Sequence, residues 1–281
     1  MSFDLRPLTG TFGAEITGLD VSSPLDPTTL DQLQKALADH LVVAIRDQQL
    51  DLDQLEAFAL QFGPFGDTPF ITPIEGHPNV LGVIREADEQ GAMFGGSWHS
   101  DWSFQPQPPS YTILYGHEVP PAGGDTVFTN QVLAYDTLSP GMKRMLDGVR
   151  AVHSARRSYG PSGVFGRPDP DAAMHIQGGD EALATHTHPI VCTHPVSGKR
   201  ALFVNEVYTI GIEDMTTAES NALLDHLFDH SRQVSFLCRV RWEPGTVTIW
   251  DNRCVQHHAV SDFAGHRREM YRVTVAGGTP V

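Results

Sequence analysis

The spacing of apolar residues changes period along the chain. Residues 28–40, TTLDQLQKALADH, place Leu30, Leu33 and Leu37 at helical spacing, continued by Leu41, so one face of a helix is apolar. The strand-like run LVVAIRD follows, and LDLDQLEAFALQFG, residues 50–63, predicts a second amphipathic helix. Asp51 or Asp53 caps its start, and Gly63 with Pro64 stops it. A carboxylate accepts from the free N–H groups of a first turn, and proline cannot continue a helix. Ahead of both helices, GTFGAEITGLDVSSPLD alternates apolar and polar residues around glycines and predicts short strands.

From about residue 70 the period shortens. NVLGVI, SYTILYGHEV, DTVFTN, HPIVCTHP, RALFVN, QVSFLCRVRW, TVTIWDN and REMYRVTVAG are β-like runs divided by Gly, Pro and Asp, the pattern of a sandwich or closed barrel. Two further helical segments are predicted over residues 132–149 and 216–231. The stretch within 157–184 is too long and too rich in Gly, Pro and Asp for a plain connection, and reads either as a lid or as a surface excursion. No repeat, low-complexity tract or linker divides the sequence, so a single domain over 1–281 is expected.

Composition narrows the function classes. A chain of 281 residues that is 40% hydrophobic can bury a substantial core. Cys192, Cys238 and Cys254 are an odd number without CxxC spacing, which points to reduced thiols in a cytoplasmic protein. The opening residues show no basic leader before an apolar core, and no run approaches the roughly 20 apolar residues of a membrane helix. With 34 acids against 19 bases and a net charge of -15, neither a nucleic acid nor a membrane is an expected partner, because phosphate-backbone binding needs a basic stripe. A small molecule is the better expectation. The basic cluster HRREMYR, residues 266–272, stands out against this background as an anion site or as an ordinary charged strand face.

Candidate chemistry begins in GGSWHSDWSF, residues 95–104. Read as a strand, it projects His99 and Asp101 to one side and Trp98, Ser100 and Trp102 to the other. One carboxylate and two imidazoles leave a face of an octahedral ion open, as in non-haem Fe(II) oxygenases. His153, His186, His188, His194, His257, His258 and His266 are candidates for the second imidazole. IWDNRCVQHHAV singles out His257 or His258, which follow an apolar strand and a turn, and spacing does not choose between them.

WHSD, GGDT, THPVSGKRALFVNE, WDNRCVQH and RREMYR occur in that order, after the opening blocks GAEITGLDVSSPL and VVAIRDQ. In these blocks, over essentially its whole length, the chain resembles the taurine dioxygenase / 2,4-dichlorophenoxyacetate dioxygenase family of Fe(II)- and 2-oxoglutarate-dependent oxygenases. The resemblance implies a mostly β fold (α+β), a double-stranded β-helix or cupin-like jelly roll with flanking helices. It implies Fe(II) on His99, Asp101 and His257, with 2-oxoglutarate and O2 as co-substrates. Thr126 of GGDT and Arg268 of RREMYR match the family's grip on the distal carboxylate of 2-oxoglutarate, and a guanidinium suits that carboxylate because it binds bidentately. Arg272, four residues on and on the same strand face by period two, matches the arginine that meets the substrate anion. Phe104 and Phe203, by motif position, are expected to wall the substrate cavity.

The implied reaction is oxidation, as a hydroxylation, of an aliphatic C–H of a small organic anion, with 2-oxoglutarate converted to succinate and CO2. Phe70 and Gly95 stand near the places where taurine-oxidising members carry a histidine and an asparagine. That difference argues against taurine itself and for a larger or less polar substrate. Family members assemble, so a homo-oligomer is expected on resemblance alone. Two alternatives remain: a metal- and 2-oxoglutarate-binding sensor without turnover, and a zinc hydrolase using His186 and His188 of THTHP. The second lacks an evident third ligand, and THTHP falls in a block where the family's histidines are not ligands.

Overall fold

Continuous apolar runs form the middle of the largest sheet. In the computed structural model, which describes residues 3–167 and 169–281, Val42–Ile45 and Thr246–Asp251 are buried at every position. Strands covered on both faces lose the alternation of a half-exposed strand. Val42–Ile45 and Tyr111–Glu118 flank Thr246–Asp251 on either side, both antiparallel to it. The seven-stranded sheet runs in the order Asp4–Pro7, Ala14–Thr17, Val42–Ile45, Thr246–Asp251, Tyr111–Glu118, Arg268–Val275, Leu81–Arg85.

Period two then divides this sheet between two cores. Val43, Ile45, Ile113, Val247, Ile249 and Val273 pack with Leu33 and Leu37 of helix Pro27–His40 and Leu55 and Phe58 of helix Leu52–Leu60. Val42, Ala44, Leu114, Trp250 and Met270 face the other way, against Phe128, Val240 and Val255. Those last three belong to a second, three-stranded sheet in the order Leu237–Val240, Thr126–Asn130, Val255–Ala259. A further three-stranded sheet, Thr209–Ile212, Arg150–Ser154, Thr185–Pro189, and the ribbon of Val191–Thr193 with Arg200–Leu202 complete the strands. The chain is mostly sheet with few helices.

The helix signals were read to within a few residues. Asp26 accepts from Thr28 and Thr29 N–H at the first helix, and Asp51, not Asp53, caps the second in a reciprocal box with Gln54. The segment 132–149 is not one helix. It breaks into Gln131–Asp136 and Pro140–Leu146, because Ser139 caps a new start and Pro140, lacking an N–H, is tolerated only in a first turn. Helix Thr217–Ser231 starts on a capping box of Thr216 and Glu219.

A larger departure concerns residues 95–104, which do not form a strand. Only His99 makes a β-bridge; Asp101 to Phe104 turn, and Trp102 adopts φ of 46°. Among the described residues no helix is long and apolar enough to cross a membrane.

Candidate active site

His99 and His257 are brought face to face by the backbone. His99 N–H donates to His257 O at 3.1 Å and His257 N–H to His99 O at 2.8 Å, so the two are a hydrogen-bonded pair directly opposite in an antiparallel bridge, with both side chains on one face. Their ring centroids are 4.1 Å apart. The turn after His99 swings Asp101 Oδ1 to 3.5 Å from His99 Nε2 and 3.8 Å from His257 Nε2. The three ligand atoms all lie within 4.8 Å of one another and the three residues are buried. His258 points elsewhere, its ring against Trp98.

Neighbouring groups fix each of these atoms. His99 Nδ1 stands 2.7 Å from Ser97 O, which places its proton there and leaves Nε2 with a free lone pair. Thr112 donates its hydroxyl to Asp101 Oδ2 at 2.6 Å and accepts from Asn252 Nδ2 at 2.9 Å. Asn252 Oδ1 accepts from Asp101 N–H and from Trp250 Nε1. The turn that carries Asn252 is itself held by Asp251, which accepts from Arg253 and from His194 Nε2. That explains the buried group His194, Asp251 and Cys254 without a metal.

Charge states follow from burial and neighbours. Burial alone would raise Asp101, yet Arg272, with smaller help from His257 and His99, holds its carboxyl well below the usual carboxylate range. Burial and the neighbouring His99 push His257 well below the ordinary histidine value, against the opposing pull of Asp101. An ionised carboxylate beside a neutral imidazole is the protonation state in which both donate to a cation. This donor set therefore fits a divalent iron.

Arg268 is 3% exposed, and its Nε and Nη2 are buried without a partner among the described residues. Burial lowers it to about 10. Its guanidinium carbon lies 6.0 Å from the Trp242 ring and 5.9 Å from the Phe263 ring, and it opens on a cavity of about 260 Å³ walled by Val83, Ile84, Met93, Phe94, Phe165 and Ile176. Trp242 Nε1 donates to Thr126 Oγ1 at 3.0 Å, leaving the Thr126 proton to donate. A buried cation with unmade hydrogen bonds is costly unless something completes it, and an anionic carboxylate does.

Arg272 shares the inner face of Arg268–Val275 with Arg268, as the alternating burial shows. Its Nη2 stands 2.9 Å from Asp101 Oδ1 without the alignment of a hydrogen bond, and its guanidinium lies 4.9 Å from the Trp102 ring centroid. Its Nη1 and Nη2 are buried without a hydrogen-bond partner among the described residues.

A second cavity, of about 520 Å³, lies over His99, lined by Met93, Phe94, Gly95, Arg157, Tyr159, Phe165, Glu206 and Tyr208 among others. Neither expected phenylalanine lines it. Phe104 sits one layer back, its ring 4.9 Å from Tyr208 and 6.0 Å from Phe70. Phe203 packs on His153 and His188 and borders a different pocket, near Pro108 and His194. Phe203 directly follows strand Arg200–Leu202. Tyr208, Tyr159, Phe94 and Phe165 take the walls instead. Tyr159 and Phe165 fall in the irregular stretch, where no periodicity marks a side chain's direction. His186 and His188 join no group of three ligands among the described residues, and His188 Nε2 is engaged by Gln105 O at 2.9 Å, so the zinc alternative has no site.

Comparison with known proteins identifies the family. A model of the taurine catabolism dioxygenase TauD, TfdA family matches residues 4–274. An alpha-ketoglutarate-dependent sulfate ester dioxygenase of Pseudomonas putida is 34% identical over 285 residues, covering 100% of this chain and 92% of its own. The alpha-ketoglutarate-dependent 2,4-dichlorophenoxyacetate dioxygenase of Cupriavidus pinatubonensis is 32% identical over 291 residues, 98% of each chain. A crystal structure of a taurine dioxygenase from Burkholderia xenovorans superposes with a TM-score of 0.82 at 34% identity, over 100% of this chain and 93% of that one.

Proposed function

Because the chain belongs to the TauD, TfdA family, we propose that His99, Asp101 and His257 hold its Fe(II) and that Arg268 and Thr126 hold its co-substrate. The protein is a 2-oxoglutarate-dependent non-haem iron dioxygenase that acts on a small molecule. The observation that carries the site assignment is the meeting of two imidazole nitrogens and a carboxylate oxygen within 4.8 Å, beside a buried arginine whose open hydrogen bonds border a cavity.

When bound, Fe(II) and 2-oxoglutarate supply, from O2, the oxidant that takes hydrogen from a substrate C–H, with succinate and CO2 as the co-substrate's products. This chain's residues position and protect. Ser97 O fixes the His99 tautomer, Thr112 and Asn252 aim Asp101 Oδ1, and Arg272 keeps that carboxylate ionised. Phe94, Tyr159, Phe165 and Tyr208 keep water from the space over His99. Burial raises both phenols, so they stay neutral walls.

The substrate is read as a small organic anion hydroxylated at an aliphatic carbon. Its support is the relatives named for sulfate esters, sulfonates and 2,4-dichlorophenoxyacetate. Phe70 stacks on Tyr159 at 4.9 Å, and a Cβ added at Gly95 would stand in ordinary contact with Ala259 Cβ and His99 Cε1, at 3.7 and 3.8 Å. Apolar walls and an empty position beside His99 favour a body bulkier or less polar than taurine. The same reading takes the facing antiparallel sheets as a double-stranded β-helix within one domain. It takes Val164 and Phe165, which border both cavities, as a lid tip. It also includes homo-oligomers, on the resemblance, and a cytoplasmic setting, supported by three buried free thiols.

An anaerobic titration of metal-free protein with Fe(II) and then 2-oxoglutarate tests it. A weak visible charge-transfer band is expected. His257→Ala removes Fe(II) binding, whereas Arg268→Ala keeps Fe(II) and weakens 2-oxoglutarate by about 100-fold, the order of a lost charged bidentate contact. No band from folded wild-type protein overturns the site, and unchanged 2-oxoglutarate affinity in Arg268→Ala overturns the arginine's role.

A further inference from the structure

The cavity over His99 ends on two tyrosines. Tyr159 is 1% and Tyr208 3% exposed, whereas Ser97 and Arg157 at the mouth are exposed. Other rings hold both in place. Tyr159 stacks on Phe70 at 4.9 Å and on Phe165 at 6.0 Å, and Tyr208 meets Phe104 at 4.9 Å and His99 at 6.2 Å, edge to face. The two phenols share a hydrogen bond, and neither oxygen is among the buried polar atoms left without a partner.

A hydroxyl carries one proton and two lone pairs. In a bonded pair of hydroxyls one proton closes the shared bond, whichever way it points, and the other is left to donate. Burial keeps both phenols protonated, so that spare proton stays in place.

The neighbours of this pair are further donors. The Trp102 ring lies 5.9 Å from that of Tyr159, and its Nε1 is buried without a partner among the described residues. On the Trp102 ring lies Arg272, 3% exposed, with Nη1 and Nη2 equally unpartnered, and its charge acts on both phenols. Asp101 is the anion close to them, and its oxygens are engaged by Thr112 and by the proposed Fe(II). Buried donors without acceptors are unfavourable until an acceptor arrives, and beside a guanidinium the favoured acceptor is an anion.

We infer that the Tyr159–Tyr208 hydroxyl pair is a specificity element, which donates its spare proton to an oxygen of the substrate's anionic head, so that the head lies at the buried end of the cavity. The apolar body then runs outward past Phe94 and Phe165, which line the same space. The inference rests on the dioxygenase reading above and deepens it by naming side chains that recognise the head.

Calorimetric titration of the anaerobic protein loaded with Fe(II) and 2-oxoglutarate tests this with hexyl sulfate, hexanesulfonate, heptanoate and, as an apolar body without a head, toluene. At least one of the anions binds the wild type, and the three arms show which head is preferred. Phenylalanine keeps each ring and removes only its oxygen. The double variant Tyr159→Phe, Tyr208→Phe therefore weakens the preferred anion by about 10- to 100-fold, the size of a hydrogen bond to a charged group. Toluene, Fe(II) and 2-oxoglutarate bind it as they bind the wild type. Each single variant keeps one phenol, and the larger of the two losses marks the hydroxyl that meets the anion.

Three results overturn the inference: an anion affinity unchanged in the double variant, an equal loss for toluene that marks a distorted cavity, or no anion binding to loaded wild type. If Fe(II) and 2-oxoglutarate fail to bind the wild type, the dioxygenase site fails instead. The same tyrosine comparison, run on unloaded protein, then still decides the phenol contact.

Discussion

The Thr112 hydroxyl stands between two partners, accepting from Asn252 Nδ2 and donating to Asp101 Oδ2. Valine has the same shape without either function, so Thr112→Val leaves a buried carboxylate oxygen and a buried amide unpaired. Loss of such an outer partner typically costs 10- to 100-fold in metal affinity and about 1–3 kcal/mol of stability. The expected outcome is Fe(II) affinity lowered by about that factor with 2-oxoglutarate affinity, measured at saturating Fe(II), close to wild type. Equal Fe(II) affinity in the two proteins would show that Asp101 is aimed by something else. The proposed site residues His99, Asp101, His257, Thr126 and Arg268 could be singled out in the sequence because ligand-type and anion-gripping side chains stood in recognisable blocks. Thr112 was not, since a threonine in SYTILYGHEV is an ordinary strand residue, and only the fold brings Asn252 across 140 positions to meet it.

At the scale of elements, the strands and caps were readable and the irregular connections were not. Apolar runs foretold Val42–Ile45, Tyr111–Glu118 and Thr246–Asp251, but alternation misled at residues 95–104, where a single bridge precedes a turn. The convergence of His99 and Asp101 there comes from the turn and its Asn252 anchor, not from strand geometry. The Gly-Gly turn before Thr126 is a second such connection. Gly123 has φ of 80°, and a Cβ there would stand 2.6 Å from the backbone oxygen of Asp262, too close for any rotamer to relieve. Gly124 N–H also donates to Asp262 Oδ1 at 2.7 Å, so the turn is clasped to the loop that lays Phe263 over Arg268. Gly123→Ala must move that loop. Beyond the roughly 1 kcal/mol of left-handed strain, it is expected to raise the 2-oxoglutarate dissociation constant while leaving Fe(II) binding intact, because the three proposed iron ligands lie on other segments. Calorimetry with each ligand checks the split, and a parallel loss of both would mean that the turn supports the whole sheet rather than the Arg268 pocket.

Across the whole molecule, the layers meet at buried polar junctions that no local pattern announces. His153, on strand Arg150–Ser154 of the third sheet, is fully buried and reaches Ser103, two residues past Asp101, at 3.2 Å. Asn205 Nδ2 donates to the same Ser103 oxygen, so the hydroxyl proton is left for His153 Nδ1. This junction ties the third sheet to the segment that bears His99 and Asp101, although the sequence, showing His153 as one histidine among fourteen, had offered it only as one candidate ligand. Burial, with repulsion from nearby His188, lowers His153 from 6.5 to about 3, and His188 shifts in the same direction. The sign follows from proton counting. Between pH 3 and 6.5 the unfolded chain binds the proton and the folded protein does not, so stability is full above 6.5 and falls as pH drops through that window. From pH 7.0 to 5.5 His153 alone accounts for a loss of roughly 1 kcal/mol, above the range in which carboxylates protonate. Urea unfolding of the metal-free protein at the two pH values measures it, and in His153→Gln the loss should shrink by about that amount even if the variant is less stable at pH 7.0. An unchanged pH dependence would place the acid sensitivity at other histidines and leave the Ser103 junction without a role in it.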